Sequence, residues 1–430
     1  MKFAALGLLL SVTTMVVIGM VMLFSTGSFS RDAFKVRKAQ AKSEVAAAAA
    51  AVSGSSSASL RAAASVRDDD DASPELSLEE EKGTKEIFWD PAYLVKRQAM
   101  WLGLGVALCI VAARVDYLFW KKTWPAWFAL AAVLLLVCFV FPRINGSHRW
   151  IRFGPFSFQP SEIGKLAGIA FLAAWYQRFE AESRTFLKGI VYPLLIVGIL
   201  LGLIAPEVDL GTTAVLGGTA FAMLFVAGAP LRYLLPLPAL GIGGILSIAF
   251  LIPERVSRLT AFLDLEGHKD GSGYQQLMGL IALGSGGVDG LGLGMGRQKF
   301  MFLPEAHTDF IFPTIGEELG LVFTLLIVFC YVVMIICGIA IALNARERFG
   351  LLMGVGITVI LALQAALNIG VTTAVLPNKG IPLPFISYGG SNLLFCLLGI
   401  GILLSIYRKG GAEKTVRATT RPRPLMTPRI

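Results

Sequence analysis

In Pro304-Glu305-Ala306-His307-Thr308-Asp309-Phe310-Ile311-Phe312 an imidazole, a hydroxyl and a carboxylate lie within three residues, and Ile315-Gly316-Glu317-Glu318-Leu319-Gly320 adds a carboxylate pair behind them. Side chains of these types take up and release protons and hold cations. The residues around them are oily. A charged side chain at mid-bilayer costs about 2.5–3.5 kcal/mol on insertion scales, so such a cluster beside a membrane face reads as functional by default. The plainer reading is a polar loop ending in an exposed Glu-Glu helix start.

Other stretches also carry groups capable of chemistry. Residues 143–160 include His148-Arg149-Trp150-Ile151-Arg152-Phe153 and run through Gln159-Pro160-Ser161-Glu162 into an apolar run. Their alternating basic and aromatic residues suit an anionic, lipid-linked ligand or ordinary interfacial anchoring. Ser161 is the expected N-cap, with Glu162 in the first turn, where the helix dipole favours it. Lys165 follows at i+3, so Glu162 and Lys165 share a face, as a self-neutralised pair or as a cavity wall. Asp209 opens another run in Pro206-Glu207-Val208-Asp209-Leu210-Gly211-Thr212, where capping is the ordinary role. Pro377 to Pro384, followed by Ser387-Tyr388-Gly389-Gly390-Ser391, keeps the backbone irregular. At membrane depth that is tolerated only where the backbone is buried in protein or lines a cavity. Gly290-Leu291-Gly292-Leu293-Gly294-Met295-Gly296 lacks the flanking strand and helix of a nucleotide loop and reads instead as tight, mobile backbone on the membrane surface. The five cysteines lie in apolar runs without metal-ligand spacing or a disulfide framework, and the three histidines are scattered.

The elements that must position these groups are membrane helices. The 430-residue chain is 55% hydrophobic and 16% charged, with a mean hydropathy of +0.69. Soluble domains carry about 25% charged residues, so the composition implies an all-α polytopic membrane protein. Apolar runs at 3–24, 98–113, 124–142, 161–178, 189–205, 210–229, 231–252, 317–343, 350–375 and 386–407 each approach the roughly 20 residues that cross a bilayer, which makes about ten transmembrane helices. Residues 1–24 are read as a retained first helix, with a secretory signal as the alternative. Residues 25–97 form an extended, largely disordered loop: an Ala/Ser-rich tract and acidic runs bury too little apolar surface to order, and Trp89 and Tyr93 close it as interfacial anchors. Residues 98–408 are the membrane core and 409–430 a basic tail. Arg114, Lys121, Lys122, Arg178, Arg184, Lys188, Arg232, Arg346 and Arg348 all fall in or beside alternate breaks. The positive-inside rule therefore puts those breaks and both termini in the cytoplasm, and the long loops 143–160 and 253–312 outside. The net charge of +9 reflects this topology rather than a nucleic-acid surface.

PEAHTDFIF with IGEELG, HRWIRFGPFSFQPSE, a DLGT at a helix start and LPFISYGGS before the last helix occur in one order along the chain. Together, from residue 98 onward, they resemble the SEDS family, the shape, elongation, division and sporulation proteins of bacteria. HTDFIF-x-x-IGEELG and KGIPLPFISYGGS look more like the division branch than the elongation branch. The resemblance implies a ten-helix peptidoglycan glycosyltransferase of the cytoplasmic membrane, polymerising lipid II at the division septum. It would work with a cognate class B penicillin-binding protein and other divisome membrane proteins. The resemblance puts Asp309 on the family's essential aspartate, Glu162 and Lys165 on its QPSE-x-x-K helix, and Asp209 on its helix-start aspartate. His307 and Ser387, from the same motifs, join them as candidate cavity residues. Three features depart from the family: Pro206-Glu207-Val208-Asp209 replaces the usual Gln-Pro-Asp, Ser391-Asn392 replaces Ser-Ser, and the first outer loop is longer.

In the implied reaction a sugar 4-hydroxyl attacks the anomeric carbon of a lipid-pyrophosphate sugar. The hydroxyl is a weak nucleophile, and a positioned base is worth about 10²–10⁴-fold. Asp309 is the candidate base, its pKa lifted toward working pH by partial desolvation. The leaving pyrophosphate gains from fixed cations or from a divalent ion such as Mg2+. Arg149, Arg152 and Lys379 are candidates for that role by charge and sidedness. Attack opposite the leaving group inverts the anomeric centre. A lipid II flippase is the competing class, and it would need access from both leaflets and discontinuous helices in paired halves. The chemistry-bearing residues lie on one side, which favours the enzyme. An elongation-type polymerase is the neighbouring alternative. A scaffold leaves Glu162, Lys165 and Asp309 without a role.

Overall fold

The computed structural model describes residues 2–26, 91–142, 147–153, 156–207, 209–250, 253–269, 271–300 and 302–420. Among the described residues, seven stretches are long and apolar enough, by length and composition, to cross a membrane: Lys2–Thr26, Tyr93–Arg114, Leu118–Cys138, Leu187–Glu207, Ile311–Leu343, Arg348–Thr372 and Gly390–Gly410. The helices that carry them are α1 (Lys2–Thr26), α2 (Pro91–Arg114), α3 (Leu118–Cys138), α5 (Tyr192–Ile204, entered through a π turn, Leu187–Val191), α11 (Ile311–Leu343), α12 (Arg348–Thr372) and α13 (Gly390–Thr420). The remaining three expected runs fall on shorter or more polar helices: α4 (Pro160–Arg178), α6 (Leu210–Val226) and α8 (Pro236–Phe250), the last preceded by the single turn α7 (Leu231–Leu234). All ten apolar runs thus become helix. At 1.5 Å per residue, however, the 15 residues of α8 reach only about 22 Å.

Other boundaries differ from expectation. The stretch 253–312 is not plain loop, because α9 (Pro253–Leu263) and α10 (Tyr274–Gly286) lie within it. Helix α2 starts at Pro91, where a proline costs no hydrogen bond, so Tyr93 sits inside a helix rather than ending a loop. Of the stretch 25–97 expected to be disordered, residues 27–90, with Trp89, lie outside the described residues, and residues 25–26 and 91–97 are helical instead. Helix α13 runs through residue 409, where the basic tail was expected to begin, and residues 421–430 also lie outside the described set.

Helix α4 is the hub. Fifteen of its 19 residues are buried, including the charged Glu162 and Lys165. Small residues let its neighbours close in on it. A Cβ on Gly356 of α12 would lie 2.6 Å from Ile169 Cγ2, and one on Gly168 would lie 3.2 Å from Leu216 Cδ1 of α6. On the outer helices the pattern inverts, and Leu325, Phe329, Leu195 and Val133 stay exposed, as lipid-facing residues do. A short antiparallel hairpin, β1 (Ile151–Phe153) with β2 (Phe156–Phe158), leads into α4 and pairs Arg152 with Ser157.

Helix α11 kinks at Gly320, whose φ of 75° is open to glycine. Glu317 and Glu318, just before the kink, are fully buried rather than an exposed helix start. The glycine-rich run wraps them. Arg297 N and Gln298 N donate to the Glu317 carboxylate, and Gly294 N donates to Glu318 Oε2. Ser25 Oγ of α1 donates to Glu318 Oε2 at 2.6 Å, and Lys299 Nζ pairs with Glu318 Oε1. Leu291 N and Gly292 N reach the carbonyls of Glu317 and Glu318. The run is therefore bound to α11, not backbone lying loose on the membrane surface, and Ser25, Lys299 and Glu318 beside it tie α1 to α11.

Candidate active site

The helix that begins with Pro160, the helix capped by Asp209 and the helix that begins at Gly390 all start at one end of the bundle, and their positive dipole ends share it. Between them opens a cavity of about 460 Å³. Its wall takes in Glu162, Lys165, Asp209, Asp309, Arg149 and Arg152, which sequence reasoning had gathered from three separate stretches.

The proline explains the start of α4. Its fixed φ places it at the first helical position with Gln159 as N-cap, so Ser161 is not the cap and its Oγ is buried without a partner among the described residues. Glu162 and Lys165 share a face as expected. Lys165 Nζ lies 2.8 Å from Glu162 Oε2, with the side chains 7% and 3% exposed, and 3.2 Å from Gln364 Oε1 of α12. The two readings of the pair coincide: it neutralises itself and it forms a cavity wall. Asp209 caps α6 through Thr212 N at 3.0 Å, accepts from Thr212 Oγ1 at 2.8 Å, and accepts from Gln159 Nε2 at 3.0 Å. The cap and the cavity carboxylate are one residue.

Asp309 is held from its backbone. Three consecutive carbonyls accept from the last loop and from α12: His307 O from Tyr388 N at 2.9 Å, Thr308 O from Ser387 Oγ at 2.6 Å, and Asp309 O from Asn368 Nδ2 at 2.8 Å. The side chain is left to the cavity, where burial pushes its carboxyl up to about 7. The Glu305 and Asp209 carboxylates push the same way, and the Arg149 guanidinium opposes them. A Cβ on Gly380 would fall 2.7 Å from Asp309 Oδ2, so the loop can approach that closely only as glycine.

Three predicted residues do not line the cavity. Ser387 is buried and spends its hydroxyl on Thr308 O and Leu383 N, so it braces the segment. His307 packs its ring 5.8 Å from that of Tyr388, and burial draws its pKa down, which keeps the imidazole neutral. Lys379 precedes Gly380 in the last loop but is absent from the wall. Sequence reasoning missed Arg97, Glu305, Gln364 and Asn368. Arg97 and Glu305 line the cavity, with Arg97 Nη2 donating to Ser157 Oγ at 3.2 Å. Gln364 and Asn368 had a visible signal: two amides one turn apart within an apolar run. Glu305 had a weaker one, adjacency to the His307-Thr308-Asp309 motif. No group of three or more His, Cys, Asp or Glu side chains converges among the described residues.

A multi-pass helical membrane protein with a charged cavity at one end of its bundle, floored by a buried ion pair and bearing a carboxyl poised near neutrality, belongs among proteins that work on a substrate at the membrane surface. Comparison with known proteins narrows the class. The family described as cell cycle protein, FtsW/RodA/SpoVE, matches residues 81–411, and the chain belongs to it. The chain is 43% identical to a protein of Coxiella burnetii named probable peptidoglycan glycosyltransferase FtsW, over 74% of this chain and 87% of that one. It is 41% identical to stage V sporulation protein E of Bacillus subtilis, over 75% and 88%. Among solved structures, a chain of a peptidoglycan synthase complex that coordinates polymerization and crosslinking superposes with a TM-score of 0.63 at 27% identity, covering 74% of this chain and 90% of that one. The rod shape determining protein RodA of Thermus thermophilus matches the fold with a TM-score of 0.60 at 24% identity, over 94% and 96%.

Proposed function

We propose that the protein is a peptidoglycan glycosyltransferase of the FtsW type, polymerising lipid II into glycan strands for the division septum. The observation that carries this reading is the carboxyl of Asp309, pushed up to about 7 on the wall of a cavity that also presents cations. A base whose pKa lies near working pH combines a useful deprotonated fraction with enough basicity to take a hydroxyl proton. Asp309 accepts the proton of the acceptor 4-hydroxyl as the oxygen attacks the anomeric carbon. The bond to pyrophosphate breaks on the opposite face and the centre inverts. Arg149 and Arg152 lie on the wall to meet the phosphates, and the buried Lys165, already paired with Glu162, places an ammonium on the floor without leaving a charge bare. A volume of about 460 Å³ suits the reacting sugars rather than a whole lipid-linked disaccharide peptide, whose chain would lie along the lipid-facing helices. A Mg2+ ion arriving with the pyrophosphate would be held by the Asp309 and Asp209 carboxylates on the wall and would supply positive charge to the leaving group.

The charge pattern of the loops supports a cavity facing outward from the cytoplasmic membrane, with both termini inside. A class B penicillin-binding protein and other divisome proteins are the proposed partners, a reading supported by the synthase-complex chain that shares the fold. The test is the purified protein, alone and with its cognate penicillin-binding protein, incubated with lipid II and read as glycan polymer. Asp309→Asn keeps the size and removes the base, and it is expected to abolish polymer while the protein still folds and inserts. Polymerisation by Asp309→Asn at a rate close to wild type would remove Asp309 from this role. Translocation of lipid II across vesicles with no polymer would replace the enzyme by a flippase.

A further inference from the structure

Helix α12 is apolar along most of its length, yet it buries two side-chain amides one turn apart, Gln364 at 3% and Asn368 at 1% exposure. Each joins a site residue to the last loop. Asn368 Nδ2 donates to Asp309 O at 2.8 Å and to Ile381 O at 2.7 Å. Gln364 Oε1 accepts from Lys165 Nζ at 3.2 Å, and its Nε2 donates to Asn392 Oδ1 at 2.8 Å and to Pro382 O at 3.4 Å. The two amides therefore grip successive loop carbonyls, Ile381 and Pro382. Their orientation follows from the partners. Asn368 faces two carbonyl oxygens, which only its NH2 can satisfy, and Gln364 must turn its oxygen toward an ammonium.

We propose that Asn368 is the positioning residue for Asp309 and that Gln364 is its counterpart for Lys165. Helix α12 would then act as a ruler, fixing the distance between the base and the floor cation through the loop at Ile381–Pro382. The assignment rests on the reading of Asp309 as base. Thr308 and His307 are tied to the same loop by Ser387 Oγ and Tyr388 N, but Asn368 alone reaches the carbonyl of Asp309 itself among the bonds of the described residues. A buried amide with both N–H groups committed is rigid, and α12 is anchored at the bundle centre by its close packing on α4. A side chain placed this way holds a reacting group where a displacement of about 1 Å can cost on the order of 100-fold in rate.

Full-length protein with its cognate penicillin-binding protein is assayed on lipid II for kcat, KM and pH profile. Asn368→Leu keeps volume and removes both donors. It is expected to lower kcat by roughly 10- to 100-fold, leave KM within about twofold, and move the acid limb of the profile, because Asp309 no longer sits against Gly380. A loss of stability that leaves Asp309 buried as before would not move that limb. If Asn368→Leu is not recovered folded, Asn368→Ser decides by the same three readouts, since its hydroxyl can serve only one carbonyl. The inference is overturned if the folded variant keeps kcat within about twofold with an unmoved limb, or if the loss falls in KM alone. Asp309→Asn, run beside it, separates the two claims. An active Asp309→Asn sinks the base assignment, whereas an inactive Asp309→Asn with a normal Asn368 variant sinks only the positioning role.

Discussion

Replacing Glu305 by Gln tests the electrostatics of the cavity with little steric change. Glu305 lies on the wall four residues before Asp309, and Thr308 Oγ1 donates to its Oε2 at 2.7 Å, a bond that a glutamine oxygen can keep. Its backbone occupies the left-handed region at φ 55°, held by Thr308 N and Phe310 N donating to its carbonyl, so the local turn does not depend on the charge. After burial, this carboxylate is the largest influence holding Asp309 up at about 7. Across partly solvated space, with an effective dielectric of about 40–80, a like charge at a separation of order 8 Å is worth on the order of 0.5–1 kcal/mol, and that range is taken as the scale of the Glu305 effect. Since 1.36 kcal/mol is one pH unit, the acid limb should move down by roughly half a unit. The sign follows from the role. A base works deprotonated, so activity is present above its pKa and fades as pH falls through about 7. Lowering the pKa should raise polymerisation roughly two- to threefold at pH 6 and change it little at pH 8. Arg149 acts in the opposite sense, so Arg149→Gln should move the limb upward, and any contact with pyrophosphate would add a rise in KM. The assay is initial rate of glycan polymer formation from lipid II between pH 5.5 and 8.5. A limb that stays in place in both variants, or moves up with Glu305→Gln, would refute the assignment of that limb to Asp309.

Further outcomes follow from single contacts. Lys299→Met strips the cation from the fully buried Glu318, which keeps only Ser25 Oγ and Gly294 N; a loss on the order of 3 kcal/mol is expected, largely restored by adding Glu318→Leu, as read by thermal unfolding in detergent. A single Lys299→Met variant as stable as wild type would show that the pair is not the tie between α1 and α11. Glu162→Ala and Lys165→Ala should each impair polymerisation, with the double variant losing less than the sum because the groups lie 2.8 Å apart, and strict additivity would dissolve the coupling. Gly380→Ala pushes a methyl against Asp309 Oδ2 and should cut kcat by about 10-fold or more with folding intact, whereas an unchanged kcat would mean that the loop yields freely.

The parts of this protein written in short range were legible. Runs of Leu, Ile, Val and Phe of about membrane thickness became helices at all ten expected places, because apolar length is a local property. Motif spacing also singled out Glu162, Lys165, Asp209 and Asp309, which line one cavity. Local signals misled where a side chain's partner lay far along the chain. Ser161 looked like a cap, but Pro160 took the first helical position. Glu317 and Glu318 also admitted a plainer reading as a solvated start, which the glycine run sets aside by closing over them. Ser387 looked like a cavity residue, but its hydroxyl is spent on Thr308 O.

The sequence by itself determined a membrane protein of the family, the rank of its helices and the identity of its acids and bases, since these depend on composition and near-neighbour order. Only the tertiary structure decided what those groups do to one another. Lys165, Asp209 and Asp309 lie far apart along the chain, and they meet because α4, α6 and the segment before α11 pack around α12. Burial, which lifts Asp309 to about 7, is supplied by all the surrounding elements together and by no single stretch. Asn368 acquires its place for the same reason: an amide in an apolar helix says only that a partner exists, and the fold supplies the carbonyls of Asp309 and Ile381.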